Sequence, residues 1–198
     1  MPDIKHFDPD AALETTLRLF WRRGPEATGI QDIVSATAVS RSSLYATFGG
    51  KRDLYLAALQ RYVEQRSEPA FQRLAADERG LPAIADFFTE LVAVRCTGEF
   101  ARWGCMVANA HAAGQDADAR VHALLDRHHE RLCDALADAL TTAESLGQLA
   151  PDAAPRPTAE VLALLAYGVN LRSRNGADPH SLNRTVQIAL ESLTSSRH

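Results

Sequence analysis

Residues 28–51 read Thr28-Gly29-Ile30-Gln31-Asp32-Ile33-Val34-Ser35-Ala36-Thr37-Ala38-Val39-Ser40-Arg41-Ser42-Ser43-Leu44-Tyr45-Ala46-Thr47-Phe48-Gly49-Gly50-Lys51. Thr28 and Gln31 have the spacing of a capping box, in which a hydroxyl caps the helix and the residue three places on reaches back. Ile30, Ile33 and Val34 then supply one buried face at helical spacing. Thr37-Ala38-Val39-Ser40 interrupts that helix early, and Ser40 is a good N-cap for another. Leu44 and Phe48 lie four apart and form its buried side, and Gly49-Gly50 ends it. Two short helices joined by a tight turn, the second of them polar, describe a helix-turn-helix. That motif lays its first helix across the DNA backbone and its second in the major groove, where base edges can be told apart.

With Leu44 and Phe48 turned inward, Arg41, Ser42, Ser43, Tyr45 and Thr47 face outward in various directions. Arg41 is the one long cation, suited to a guanine edge or a phosphate. Tyr45 can lie against sugar or a thymine methyl while its hydroxyl reaches a phosphate. Small Ser42, Ser43 and Ala46 let the helix approach the groove floor. Lys51 opens the next helix, where backbone N–H groups add to its charge.

The flanking chain is helical too. Asp8-Pro9 starts a first helix carrying Leu13, Leu17, Phe20 and Trp21, and Gly24-Pro25 stops it. A fourth helix runs from Lys51 through Leu54, Leu56, Leu59 and Tyr62, with Pro69 kinking or dividing its far end. Further segments follow at Leu81 to Cys96 and Gly104 to Ala113, then a long helix from about Asp116 to Leu146. Pro151, Pro155 and Pro157 mark a linker before two last helices, Pro157 to Asn175 and Pro179 to Thr194. No stretch alternates with period two for long. The expected fold is all-α with about nine helices.

Composition bounds the function classes. The 198 residues are 46% hydrophobic and 23% charged, enough apolar material for a core without staples. With 21 Lys and Arg against 25 Asp and Glu, no bulk basic signature of nucleic-acid binding is present. The acidity lies downstream, since residues 1–52 hold seven basic side chains against six acidic ones. Cys96, Cys105 and Cys133 are irregularly spaced and suggest neither a disulfide framework nor a zinc ribbon. The polar opening Met1-Pro2-Asp3-Ile4-Lys5-His6 does not read as a signal peptide, and no apolar run is long enough to span a bilayer. A reduced cytoplasm, with no membrane partner, is the expected setting.

The run from Phe7 to Leu59 resembles the N-terminal domain of the tetracycline-repressor-like (TetR) family. The resemblance rests on Phe20-Trp21-Arg22-Arg23-Gly24, Ala27-Thr28-Gly29-Ile30-Gln31-Asp32-Ile33, Val39-Ser40-Arg41-Ser42-Ser43-Leu44-Tyr45 and Phe48-Gly49-Gly50-Lys51-Arg52-Asp53-Leu54. It implies a DNA-binding domain over residues 1–54 and a ligand-binding and dimerisation domain over residues 55–198. It further implies a homodimer on a palindromic operator, acting as a repressor released by a small molecule. Carried over by position, DNA contacts fall on Thr28, Gln31, Ser40, Arg41, Ser42, Ser43, Tyr45, Thr47 and Lys51. Two departures stand out: Ala38 replaces the glycine usual in the turn, and Ala46-Thr47 replace a bulkier pair. A slightly different turn geometry is expected to absorb the first.

In the family the last two helices build the dimer interface, which places Val161, Leu164, Leu165, Val169, Leu182, Val186 and Leu190 there, among apolar neighbours that include Leu171 and Ile188. The ligand would lie among the middle helices. Phe87, Phe88, Leu91, Phe100, Trp103 and Met106 are apolar candidates for its walls. Cys105, Asn109, His111, Leu124, His128 and Tyr167 complete the set, mostly apolar with a few polar points. The effector is therefore expected to be small and largely apolar. Trp103-Gly104-Cys105-Met106-Val107 looks like a motif of some members of the family, and a thiol beside a helix start can also meet electrophiles.

Other classes fare worse. His129 and Cys133 are four apart and share a helix face, but no carboxylate spacing completes a metal set, and no metal or cofactor is expected. There is no Gly-rich phosphate loop, no nucleophile on a strand and no Glu-x-x-His pair, so an enzyme is not expected. Asp116 and Asp118 read as charge bias at a helix start rather than an acid–base pair. A helical interaction protein without DNA binding, and an activator rather than a repressor, remain open at this point.

Overall fold

The computed structural model describes residues 7–113 and 118–194; Asp116, the expected start of the long helix, lies outside them. Helix α1, Pro9–Arg23, begins where Asp8 Oδ1 accepts the Asp10 and Ala11 N–H groups at 2.9 and 3.3 Å. It ends at Gly24, whose φ of 81° an L side chain adopts only under strain. Helix α2, Ile30–Thr37, is capped at Gly29 and not at Thr28. The Thr28 hydroxyl donates instead to the Gly24 carbonyl at 2.8 Å, which folds Thr28 completely inside. The reciprocal partner is therefore Asp32, whose Oδ2 accepts the Gly29 N–H at 2.7 Å, and Gln31 stays on the surface.

Ala38 links α2 to α3, Arg41–Phe48, at φ 56° and ψ 21°. The turn thus keeps the left-handed geometry that suits glycine, and alanine carries the steric cost of about 1 kcal/mol. Ser40 caps α3 by accepting the Ser43 N–H at 3.1 Å. Fully buried Leu44 pins α3 to the core, so that truncation to alanine costs about 2–5 kcal/mol.

Helix α4, Lys51–Tyr62, passes without a break through a π turn, Val63–Ser67, into α5, Glu68–Ala75. Pro69 explains the turn. It has no N–H to give the Gln65 carbonyl and its ring crowds that oxygen, and the wider turn absorbs the misfit where a kink or break was expected. Then come α6 (Leu81–Cys96), α7 (Met106–Ala113), α8 (Ala119–Ser145), α9 (Pro155–Arg174) and α10 (Pro179–Glu191). Pro155 and Pro157 sit in the first turn of α9, where N–H groups have no intrahelical partner to lose. With α4 and α5 joined, the described residues form nine helical rods, and their only strand-like pairing is an isolated bridge, Leu149 to Thr194.

Two apolar cores hold these rods. Leu17, Phe20, Trp21, Ile33, Leu44, Leu54 and Tyr62 pack with Met106 and Val107 of α7 and with Leu124 near the start of α8. Phe88, Leu132, Leu136, Leu140, Leu162, Val169, Leu182 and Val186 form the other, among α6, α8, α9 and α10.

Candidate nucleic-acid interface and ligand cavity

Burial of Leu44 turns the opposite side of α3 to solvent, with Arg41, Ser42, Ala46 and Thr47 exposed and Ser43 and Tyr45 partly so. The Arg41 guanidinium lies over the Tyr45 ring, 5.1 Å from its centroid, a stacking that holds both side chains on one face. Among the described residues no carboxylate pairs with Arg41. The Ser40 hydroxyl is engaged by the Ser43 N–H and, at 2.9 Å each, by the Ser42 and Ser43 hydroxyls. These serines therefore shape the helix start as well as its surface. Gln31 is exposed on α2, and Lys51 stands half-buried at the first position of α4. Thr28 presents no surface at all, so its part is to brace the turn before α2 and it drops out of the contact set.

The N-terminus of α4 is tied to α8. The Asp53 carboxylate accepts the Gly50 N–H at 2.9 Å and pairs with Arg120 at 2.9 Å. These two partners, the backbone N–H first, hold its pKa below the usual carboxylate range.

Behind α1, a cavity of about 320 Å³ opens between the π turn, α5, α6, α8 and α9. Six expected residues line it: Phe87, Leu91, Phe100, Cys105, His128 and Tyr167. The other six do not. Phe88 is fully buried in the α6–α10 core, while Met106 and Leu124 belong to the α1–α4 core. The Asn109 amide donates to the Trp103 carbonyl at 2.8 Å, and Trp103 packs edge-on against Trp21. His111 is exposed, touching the cavity only through its ring contact with Tyr167. Met106 and Asn109 line a second cavity of about 310 Å³ beside α1 and α7. Apolar periodicity cannot say which neighbour an inward residue meets, which is why half of the set fell outside the first cavity.

The charged lining was not expected. Arg66 lies against the stacked pair Trp21 and Phe100, 5.2 Å from the Trp21 centroid and 4.7 Å from that of Phe100, and pairs with Glu14 at 3.4 Å. Arg95 donates to Asn170 Oδ1 at 2.7 Å and to the Tyr62 hydroxyl at 3.0 Å. Both partners are neutral, and among the described residues Arg95 has no carboxylate. One sequence signal was available: Arg95 continues the buried stripe Phe88, Leu91, Val92, a place where a cation needs a reason. Arg66 had no such signal, because the π turn shifts the register of its helix.

Three polar atoms of lining residues are buried without a hydrogen-bond partner: Arg66 Nε, His128 Nδ1 and the Tyr167 hydroxyl. Each costs about 1–3 kcal/mol if it stays so. His128 Nε2 meets the Ser67 hydroxyl at 3.1 Å. Burial above all, with the nearby charges of His111, His129 and Arg95, pushes its pKa down to about 3. Burial likewise raises the pKa of the Tyr167 phenol. Cys105 is buried at the cavity wall, its carbonyl accepting the Asn109 N–H at 2.8 Å at the start of α7.

The outer faces of α9 and α10 sort the expected dimer residues. Val161 and Leu164 are 64% and 65% exposed, and Leu171 on α9 and Ile188 on α10 are exposed as well. Leu165 is half-buried against the core. Val169, Leu182, Val186 and Leu190 point the other way and pack inside the chain's own core, so they are corrected to intramolecular residues. The carboxylate missing beside His129 and Cys133 comes from α9, as Glu160. No helix among the described residues is long and apolar enough to cross a membrane.

Two family models match this chain. One, for bacterial regulatory proteins of the tetR family, covers residues 12–58. The other, for the tetracyclin repressor-like C-terminal domain, covers residues 80–189, more than half of the chain. The chain belongs to the TetR family. Among TetR-family relatives, the HTH-type transcriptional repressor ComR of Escherichia coli (strain K12) is 33% identical over 190 residues, covering 93% of this chain and 87% of ComR. YezE of Bacillus subtilis (strain 168), an HTH-type transcriptional regulator, is 32% identical and covers 73% of this chain and 74% of its own. Among solved structures, a cysteine mutant of the TetR family regulator CifR, complexed with 26-bp double-strand operator DNA, superposes with a TM-score of 0.84. It is 25% identical and covers 96% of this chain and 98% of its own. The C-terminal match spans α6 to α10 and so takes in most of the cavity walls and the whole exposed α9–α10 stripe.

Proposed function

We propose that this TetR-family regulator is a ligand-responsive repressor, acting in the cytoplasm, that binds a palindromic operator as a homodimer. The reading head is residues 1–54, with Gln31, Arg41, Ser42, Ser43, Tyr45, Thr47 and Lys51 facing DNA and Ser40 setting the helix start. The observation that carries this reading is the exposed Arg41–Tyr45 pair on a short helix whose opposite side is locked by Leu44. The names of ComR, a repressor, and of CifR, solved on operator DNA, support it. Residues 55–198 hold the effector and pair two copies through Val161, Leu164, Leu171 and Ile188.

The effector belongs in the cavity behind Trp21. Its size and its aromatic walls suit a small, mostly apolar molecule. Arg95, which has no carboxylate among the described residues, favours one that also carries an anionic group. An electrophile captured by the Cys105 sulfur, which would lose its proton and form the new bond, would act on the same wall. The test is release of a bound duplex by a panel of aromatic carboxylates and their methyl esters. Acids should release it at lower concentration than esters, and Arg95→Leu should erase the difference. Equal potency of acids and esters would remove the anionic part of the reading, and failure to bind any selected duplex would remove the regulator itself.

A further inference from the structure

We propose that His129, Cys133 and Glu160 form a zinc-type cation site that fastens α8 to α9. His129 and Cys133 stand four apart on α8, hence on one face, and Glu160 reaches them from the first turns of α9. Their donor atoms already form a compact triangle. His129 Nε2 to Glu160 Oε2 is 3.4 Å, Cys133 Sγ to Glu160 Oε2 is 3.5 Å, and Cys133 Sγ to His129 Nε2 is 3.6 Å. Zinc takes sulfur at about 2.3 Å and nitrogen or oxygen at about 2.0–2.1 Å, so a tetrahedral set has ligand–ligand edges of about 3.3–3.6 Å. The three sides match those edges, including the lengthening towards sulfur. An ion above the triangle would therefore reach all three atoms with little movement.

The surroundings suit such an ion. Cys133 is fully buried and forms the floor, while His129 and Glu160 are about one-third and one-half exposed and form an open rim. That opening leaves a fourth position for water. The Tyr167 ring stacks on His129, 5.8 Å between centroids and 24° between planes, and holds the imidazole in place. Arg156 is the nearby competitor, but it lies 3.6 Å from the other oxygen of Glu160, Oε1, and also pairs with Asp134. A sulfur, nitrogen and oxygen set favours zinc or cobalt over magnesium or calcium, which take oxygen alone. Because Tyr167 also lines the cavity and Val161 follows Glu160, an ion here would stiffen the wall between the cavity and the outer face.

The test is a cobalt titration of the full chain under reducing conditions. The proposal expects a thiolate-to-cobalt charge-transfer band and tetrahedral visible bands that saturate at one ion per chain and are displaced by zinc. Cys133→Ser should abolish the charge-transfer band, and Cys105→Ser should leave it. His129→Asn and Glu160→Gln, at the exposed rim, should weaken cobalt binding tenfold or more without loss of helical circular dichroism. These two keep the test open if Cys133→Ser does not fold. No charge-transfer band at equimolar cobalt, or a band indifferent to Cys133 and Glu160, overturns the site.

Discussion

The indole Nε1–H of Trp21 donates to the carbonyl oxygen of Gly104 at 2.9 Å, across 83 residues of chain. Trp21 stands at the end of the helix that backs the reading head, and Gly104 immediately precedes Cys105 of the cavity wall. The same indole packs on Tyr62, Phe100 and Trp103 and lies under Arg66. One side chain thus joins the helix-turn-helix half of the chain to the cavity wall. Trp21→Phe keeps much of the packing but leaves the Gly104 carbonyl unpaired, which should cost about 1–3 kcal/mol in a urea unfolding experiment. A loss below about 0.5 kcal/mol, the scale of an ordinary surface change, would mean the bond is dispensable.

The turn of the helix-turn-helix offers a gain. Ala38 holds φ at 56° without contributing to either core. Ala38→Gly should raise stability by up to about 0.6 kcal/mol, the relief of the left-handed conformation less the extra chain entropy of glycine. Thermal unfolding of the two proteins side by side measures it, and a destabilised Ala38→Gly protein would contradict the strain.

The reading head was legible because its signals are local. Ser40 before an apolar pair, Gly49-Gly50 after it, and Asp8-Pro9 at the start each act within one helical turn. The α2 cap was misplaced by one residue because the Thr28 hydroxyl can either accept a helix N–H or donate to a preceding carbonyl, and only the packed chain shows that it donates to Gly24. The cavity was half legible. Phe87, Leu91 and Tyr167 follow helical periodicity, but Arg66 enters through a π turn that no period describes, and Trp21 arrives from the other end of the sequence. Of the proposed metal triangle His129 and Cys133 were legible and Glu160 was not, since its carboxylate is on a different helix. On α9, apolar residues occupy both faces, and only packing separates Val169 from Leu164.

That separation is testable. Leu164 is exposed, so Leu164→Glu should leave the single chain folded while placing two carboxylates in the proposed interface. Sedimentation should show the native chain as a dimer and the variant as a monomer with unchanged helical signal. A variant that remains dimeric would move the interface elsewhere.

His128 supplies a pH dependence of defined sign. Its folded pKa, about 3, lies below the ordinary imidazole value of about 6.5. Above pH 6.5 neither state binds the proton, and its contribution to stability is intact. As pH falls from about 6.5 towards 3 the unfolded chain takes up a proton that the folded chain refuses, costing about 1.4 kcal/mol per pH unit. His128→Leu should therefore lose less stability than the native chain between pH 6.5 and 4.5, by about 2–3 kcal/mol. Parallel curves for the two proteins would show that His128 is protonated in the fold.

The most direct measurement is selection of bound sequences from a random duplex library with the purified chain, at moderate and higher salt. The expected result is an inverted repeat whose half-sites are centred about one helical turn apart, roughly 34–36 Å. Arg41→Ala should lose discrimination within each half-site, whereas Lys51→Ala should weaken binding across sequences and flatten the salt dependence. Enrichment of no motif at either salt, or a motif unchanged by Arg41→Ala, would contradict the assignment of α3 as the helix that reads DNA.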